Sequence, residues 1–431
     1  MYIGKRGEFV LHSILGIIIS VCGGIGTIFV IFYFYNVIFL IIAVLGKSKK
    51  APDTDVINDY GYIICARNES AVIGDLIKSI KGQNYPQDKM HVFVIADNCT
   101  DDTALVAKDA GAEVVYERQN KELVGKGYAL QTIVDNLLND GRYDNLKGFF
   151  VFDADNVLDK NYTLEMNKEI VSGKRVVGAY RNVKNWDYNV HTACAGMYFI
   201  RDNFQFNRPR KIINSPAFIA GTGFFVDRSL LVEEGGWNYT LLSEDMEFTA
   251  EQILKNEPIG FCESAVFYDE QVTLFKQSWK QRTRWIRGST DVFNKYCLTL
   301  IKRFFKKPSL AMLDIFCMML GAGYIAAAGL ITATVSMLAV MLYTGTFIGA
   351  VIAFFSYIFS FYFGLFCYSS IAILFAWKKV YLPTSKKILY LFCFPFYMMT
   401  FMIIAPFALL KRKVGWDPIL HTAKAGNYVH K

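Results

Sequence analysis

Four short groups of residues have the types and spacing to do chemistry. Asp153-Ala154-Asp155 follows directly on the apolar run Phe149-Phe150-Val151-Phe152. Two carboxylates one residue apart at a strand end can share a hard divalent cation, which takes oxygen ligands and commonly binds substrate phosphates too. Gly125-Lys126-Gly127 precedes a helical stretch, Tyr128 to Leu138. A lysine beside glycines at a helix N-terminus suits a diphosphate or ribose; an ordinary surface turn is the other reading. The P-loop spacing Gly-x4-Gly-Lys-Ser/Thr is absent. Ser243-Glu244-Asp245 lies ahead of a helical run, Met246 to Leu254. Ser243 can cap that helix while the acids complement its dipole, or Asp245 can act as a general base toward an acceptor hydroxyl. The two readings stand level. Gln281-Arg282-Thr283-Arg284-Trp285 sits in a stretch that sets Trp279, Trp285, Ile286 and Phe293 against Lys280, Arg282, Arg284 and Arg287. That pattern predicts an amphipathic helix along a membrane interface.

The elements that must position these groups alternate. Short apolar runs at residues 62–66, 91–96, 112–116 and 149–152 predict strands. Stretches at about 69–81, 102–110 and 128–138 predict the helices between them. Strands separated by helices of this length imply a mostly parallel sheet covered on both faces. Ligands of such sheets bind outside the carboxyl ends of the strands. The first run ends in Arg67-Asn68-Glu69, the second in Asp97-Asn98 and the fourth in Asp153-Ala154-Asp155, so three polar clusters share one edge. Singly, Asn68 reads equally as a helix cap and Asp97 as a turn former.

Composition adds a membrane. Hydrophobic residues make up 53% of the chain, charged residues 19%, and mean hydropathy is +0.26. Nearly all Asp and Glu fall within residues 51–300, whereas 11–46 and 309–410 are almost free of charge. A membrane helix takes about 20 apolar residues. Residues 11–46 are too long for the core of a signal peptide and are expected to be a retained anchor, a single helix running on toward the central domain. Further apolar blocks lie at about 315–343, 347–376 and 388–410, the last interrupted by Pro395 and Pro406 and readable as re-entrant or interfacial. Basic clusters at Lys47–Lys50, Lys302–Lys307, Lys378-Lys379 and Lys411–Lys413 border these blocks; the preference of positive charge for the cytosolic side places the central domain in the cytosol. The expected organisation is an N-terminal anchor (1–50), a cytosolic α/β domain (51–272), amphipathic interfacial helices (273–308) and a C-terminal membrane region with a short basic tail (309–431).

The net charge of +8 sits at membrane borders, where anionic headgroups are the partner; no nucleic-acid binding is expected. Nine cysteines without a Cys-x-x-Cys pair and five scattered histidines argue against a disulfide framework or a zinc site. A transporter would carry polar residues inside its spans, and only Asp314, near one edge, does so. No Gly-x-Gly-x-x-Gly follows the first strand, against a dehydrogenase.

Taken in order, Asp97, Asp153-Ala154-Asp155, Ser243-Glu244-Asp245 and Gln281-Arg282-Thr283-Arg284-Trp285 resemble the series D, D-x-D, T-E-D and Q-x-x-R-W. That series marks the membrane-bound family 2 glycosyltransferases: cellulose, hyaluronan and poly-N-acetylglucosamine synthases. The resemblance covers roughly residues 58–300; Ser243 replaces the usual Thr and keeps its hydroxyl. It implies an α/β GT-A (Rossmann-like) fold with an α-helical transmembrane region, and inverting transfer of glucose or N-acetylglucosamine from a UDP-sugar to a growing β-glycan. The alternative is a non-processive enzyme making a glycolipid. It further implies that Asn68, Glu69 and Asp97 lie at the nucleoside, with Lys126 at the diphosphate. Asp153 and Asp155 would hold Mg²⁺ or Mn²⁺. Asp245 would be the base, with Glu244 beside it, and Gln281, Arg284 and Trp285 would bind acceptor and leaving group. Gly221-Thr222-Gly223 resembles the acceptor-side segment. Expected partners are the UDP-sugar donor, a glycan or lipid acceptor, membrane lipids, and a homo-oligomer or export partner, at a multi-pass site in the cell membrane.

Overall fold

The computed structural model describes residues 2–344, 346–411 and 414–415. The Gly345 junction and all of the expected basic tail except Lys411, Val414 and Gly415 lie outside the described residues. The chain opens with one long helix, α1 (Tyr2–Leu45), as the uninterrupted apolar pattern predicts. The α/β part then runs β1 (Tyr60–Ala66), α2 (Ile73–Lys81), β2 (Met90–Asp97), α3 (Thr103–Asp109), β3 (Val114–Arg118), α4 (Lys126–Leu138) and β4 (Gly148–Asp153). It continues through β5 (Val157–Leu158), α5 (Tyr162–Val171), β6 (Val176–Val183), α6 (Val190–Arg201), a π-helical turn at 202–207, α7 (Arg208–Ile212), β7 (Phe224–Asp227), α8 (Arg228–Glu234), α9 (Glu244–Lys255) and β8 (Ile259–Asp269). Last come α10 (Phe275–Lys306), α11 (Leu310–Leu320), α12 (Ala326–Thr344), α13 (Phe347–Phe375) and α14 (Thr384–Leu410).

The eight strands form one sheet in the order β3-β2-β1-β4-β7-β6-β8-β5. β3, β2, β1 and β4 are parallel. β7 runs antiparallel between β4 and β6, β8 is parallel to β6, and β5 closes the edge antiparallel to β8. Central strands are covered on both faces, which is why β1, β2 and β4 read as continuous apolar runs. One face packs Ile63, Phe93 and Val151 under α4, α6 and α9; the other packs Tyr62, Phe150 and Phe152 against α2 and α5. The chain leaves β1 toward β2 on one side and returns to β4 on the other, so the crevice between β1 and β4 is the switch point where such sheets bind ligands.

Several boundaries differ from expectation. The first helix starts at Ile73 rather than near Glu69, after a turn in which the Val72 and Ile73 amides donate to the Glu69 carbonyl. Asn68 is therefore not a helix cap; it sits in the left-handed region at φ 58°. The third strand lies two residues later than its apolar run suggests. Pro395 and Pro406 lie inside a 27-residue helix, not at a re-entrant break. Among the described residues, four helical stretches are long and apolar enough to cross a membrane: Val10–Ile28, Gly323–Thr344, Phe347–Phe375 and Thr384–Leu410.

The single acid at the edge of an apolar block has a buried partner. Arg210 of α7 grips Asp314 of α11 through two bonds of 2.6 Å each, and its guanidinium lies 4.3 Å from the Phe218 ring and 4.6 Å from that of Phe39. The pair thus ties the α/β part to α1 and α11. Removing one member of a buried pair leaves the other charge unpaired, at a cost of about 3–5 kcal/mol. Arg210→Met is expected to lose stability of this order, read as a lower unfolding temperature of the detergent-solubilised protein.

Candidate active site

Three loops that leave the carboxyl edge of the sheet build the first half of the site. Asn68 and Asn98, both at positive φ (58° and 53°), turn the chain sharply after β1 and β2, and asparagine tolerates that conformation better than most residues. The Asn68 side chain accepts from the Thr100 amide at 2.8 Å and donates to Thr100 Oγ1 at 3.2 Å. The Glu69 amide donates to Thr103 Oγ1 at 2.8 Å, so the first two loops are stitched together. Asp97 is 5% exposed and is ion-paired with Arg118. Arg118 also donates to the Leu123 carbonyl at 2.7 Å, which folds the loop before α4 over the same edge.

The second half gathers around Lys126, at the first position of α4. Its ammonium is paired with Asp153 and donates to the Gly221 carbonyl at 2.7 Å. Burial opposes that charge, but Asp153 and Glu244 outweigh it and raise the lysine above its ordinary range. The Asp153 side chain is 41% exposed, leaving it open to a ligand, and its amide donates to Thr222 Oγ1 at 2.9 Å. Asp155 is buried and accepts from Asn156 Nδ2 at 3.0 Å and from the Glu270 amide at 3.2 Å. The close approach at Gly127 serves packing: a Cβ there would meet the Tyr239 carbonyl.

The acids at the start of α9 face this cluster. Gly221, at φ +76°, passes so close that a Cβ on it would lie 3.1 Å from Asp245 Oδ2. Asp245 Oδ1 accepts from the Met246 amide at 2.8 Å. Burial, then the neighbouring charge of Asp245, pushes Glu244 up to about 8; burial also raises Asp245 above the usual carboxylate range. Ser243 occupies the cap position without making a side-chain cap bond. Its hydroxyl instead packs on the backbone of α10, where a Cβ at Gly288 would run into Ser243 Oγ.

The profile described as glycosyltransferase like family 2 matches residues 58–288, more than half of the chain. The chain belongs to glycosyltransferase family 2. A β-monoglucosyldiacylglycerol synthase of Synechocystis is 26% identical over 243 residues, covering 54% of this chain and 48% of that one. A poly-β-1,6-N-acetyl-D-glucosamine synthase of Staphylococcus epidermidis is 23% identical over 266 residues, covering 58% and 59%. The chain spans about half to three-fifths of the length of the curated relatives it matches. Among solved structures, the mannosyltransferase PcManGT of Pyrobaculum calidifontis, in complex with GDP-Man and Mn²⁺, superposes with a TM-score of 0.56 at 15% identity, covering 94% of this chain and 100% of that one. The α/β part has the GT-A fold of this family.

In this transferase the Gln281–Trp285 string lies on α10, a 32-residue helix. Trp285 stacks on Tyr198 of α6 at 6.0 Å and meets Phe199 edge-on at 6.1 Å; Tyr198 in turn stacks on Phe401 of α14 at 5.6 Å. Arg282 is fully buried, 4.4 Å from the Tyr397 ring, and donates to the Tyr397 carbonyl at 3.2 Å. Gln281, Arg284 and Trp285 are half-buried. Lys126, Asp153, Gly221, Thr222, Glu244 and Asp245 form one cluster. Asn68, Glu69 and Asp97 form a second along the same edge. The Trp285 group joins the first through Ser243–Gly288. Gly223, also at positive φ, packs on the Phe267 ring and donates to the Val151 carbonyl at 2.8 Å.

Arg118, Gly288 and the pair Arg181–Asp269 were not singled out in the sequence. Asp269 is 1% exposed and receives the Arg181 Nε–H at 2.8 Å; burial opposes the Arg181 charge, but Asp269 first, then Asp153 and Asp155, raise it. β6 and β8 end at the same edge as β4, so reading the residues at every strand end, beyond the fourth, would have found both. Gly288→Ala is expected to lower transfer roughly tenfold to 100-fold by displacing the Ser243–Asp245 turn. Nucleotide affinity, measured separately by calorimetry, should hold.

Proposed function

We propose that this family 2 transferase moves a hexose, glucose or N-acetylglucosamine, with inversion from a UDP-sugar to an acceptor hydroxyl at the membrane surface. The observation that carries the reading is the Lys126 ammonium between Asp153 and the Gly221 carbonyl, with Asp245 against the same glycine. A donor-side carboxylate and an acceptor-side carboxylate thereby flank one cationic point. Asn68, Glu69 and Asp97 hold the nucleoside, Lys126 the diphosphate, and Asp245 takes the acceptor proton as its oxygen attacks the anomeric carbon. The anomeric C–O bond to UDP breaks on the opposite face, so an α-linked donor yields a β-glycoside. Lys126 and Arg284 offset the negative charge that grows on the departing diphosphate. Gln281 and Trp285 orient the acceptor.

The residues present fit Mg²⁺ or Mn²⁺. Asp153 is accessible, Asp155 lies beside it, and a buried Asp269 oxygen within electrostatic reach of Asp155 has no hydrogen-bond partner. Among the described residues no three His, Cys, Asp or Glu side chains form an all-protein cage, so Asp153 and Asp155 would hold the cation jointly with the diphosphate, as is usual for Mg²⁺. Bound there, it would neutralise the diphosphate charge.

The resemblance implies processive extension of a β-glycan in a cytosolic site whose product enters the membrane helices. A specific observation favours the second reading, a glycolipid product. Residues 315–376 and 388–410 contain no Asp, Glu, Asn, Gln, His, Lys or Arg and offer a glycan only Ser, Thr and Tyr hydroxyls, and a β-monoglucosyldiacylglycerol synthase is among the similar proteins. Purified full-length protein incubated with UDP-glucose, UDP-N-acetylglucosamine and GDP-mannose plus Mg²⁺ or Mn²⁺, with product sizing, tests both. A high-molecular-weight glycan sinks the glycolipid reading and a single-sugar lipid sinks the synthase. Transfer from none of the three donors sinks the function.

A further inference from the structure

Behind the Gly221 turn lies a partly open cavity of about 30 Å³. A water needs about 10–15 Å³, so the space takes two water-sized groups, the bulk of a hydroxymethyl arm. Its polar lining comes from Arg181, Asp202, Asn203 and Thr222, and its apolar faces from Phe199 and Phe218. It adjoins the reaction centre: Ala220 and Thr222 line it, and Gly221 between them carries the carbonyl that holds Lys126 and faces Asp245.

The lining is built. Arg181 is fixed by Asp269 and by the Ala220 carbonyl at 3.3 Å, with its guanidinium 3.8 Å from the Phe199 ring. A guanidinium has five N–H donors, more than these bonds use. Asn203 Nδ2 donates to the Arg181 carbonyl at 2.7 Å and holds the strand. Asp202 and Asn203 open the π-helical turn at 202–207, a widened turn often found where a helix serves a site. An anion here would face Asp202, whose Oδ1 accepts from Arg201 at 2.7 Å, and a cation would face Arg181. A hydroxyl can accept from the guanidinium and donate to the carboxylate at once, while flat aromatic faces suit the C–H surface of a polyol.

We propose that this cavity is an acceptor subsite that receives a neutral polyol arm, with Arg181 and Asp202 as the groups that select it. This rests on the hexosyl-transfer reading. The polyol is either the glycerol end of a lipid or the hydroxymethyl of a glycan terminus, and its source is decided by the acceptor used. Asp202→Asn keeps the shape, removes the charge and ends the ion pair with Arg201, so Arg201→Gln, which ends the same pair and keeps the carboxylate, is measured beside it. With full-length protein in detergent, kinetics are measured with dioleoylglycerol micelles and with short glucose or N-acetylglucosamine oligomers. Asp202→Asn is expected to raise the acceptor KM about tenfold, as turning a charge-assisted hydrogen bond into a neutral one does, while UDP affinity holds and Arg201→Gln leaves the acceptor KM near wild type. A response to dioleoylglycerol assigns a lipid-borne polyol; a response to oligomers assigns a glycan end. An unchanged acceptor KM, or a fall in UDP affinity of the same size, overturns the subsite. Quenching of tryptophan fluorescence by the same acceptors reads binding without turnover. If wild type transfers no sugar, the hexosyl-transfer reading fails on its own, and acceptor affinity equal in wild type and Asp202→Asn overturns the subsite separately.

Discussion

Asp245→Asn is expected to lower sugar transfer by on the order of 10³-fold while leaving UDP affinity within about twofold, because a positioned general base supplies about 10²–10⁴ of rate. The asparagine keeps the bond from the Met246 amide and the fit against Gly221, so the α9 terminus should not move. What it loses is the capacity to take the acceptor proton. The check is a transfer assay paired with calorimetric titration of UDP. A variant that keeps more than a tenth of wild-type turnover would remove Asp245 from the role of base.

The neighbouring acid makes that prediction sharper. Glu244 is pushed up to about 8 by burial and by the charge of Asp245, so the two carboxylates titrate as a pair. Burial raises Asp245 above the usual carboxylate range as well. The rate depends on the ionised form of Asp245, so kcat/KM, which reports the free enzyme, should fall on acidification before the ordinary Asp range of about 3.9 is reached. A second inflection near the Glu244 value is expected above neutrality. Glu244→Gln mimics the protonated neighbour; it should erase the upper inflection and leave the acid limb in place. Loss of the acid limb in that variant would transfer the role of base from Asp245 to Glu244.

Much of this was readable from the chain. The parallel half of the sheet announces itself because strands buried on both faces must be apolar throughout, and each ends in a polar cluster at Asn68, Asp97 or Asp153. What was not readable depends on pairs remote in sequence. β7 is four residues long and owes its existence to β4 and β6, not to any local pattern. Asp269 holds Arg181 across a sequence separation of 88 residues. The contact of Gly288 with Ser243 joins two helices, each legible alone; it explains why Ser243 makes no cap bond, a point on which local helix chemistry pointed the other way. Arg282, formally a variable position of its motif, is the buried one, because its face of α10 meets Tyr397 and Phe401 of α14.

Asp155→Asn should have the other large effect, a loss on the order of 10³-fold in transfer, comparable to removing a group aimed at developing transition-state charge. Asp155 Oδ1 accepts from the Asn156 side chain and Oδ2 from the Glu270 amide; an asparagine keeps one of these bonds and loses the other, a local cost of about 1–3 kcal/mol that a domain held by two packed sheet faces can bear. The fold should therefore survive, and circular dichroism should be unchanged. The carboxylate charge is what disappears. Asp153 alone, already paired with Lys126, then faces the cation, so Mn²⁺ affinity measured by electron paramagnetic resonance in the presence of UDP should drop at least tenfold. UDP binding without metal should change little, since the loops around Asn68 and Asp97, proposed to hold the nucleoside, are untouched. If the variant binds Mn²⁺–UDP as tightly as wild type, the cation is not held by Asp155, and Asp269, with its unpartnered buried oxygen, becomes the carboxylate to test.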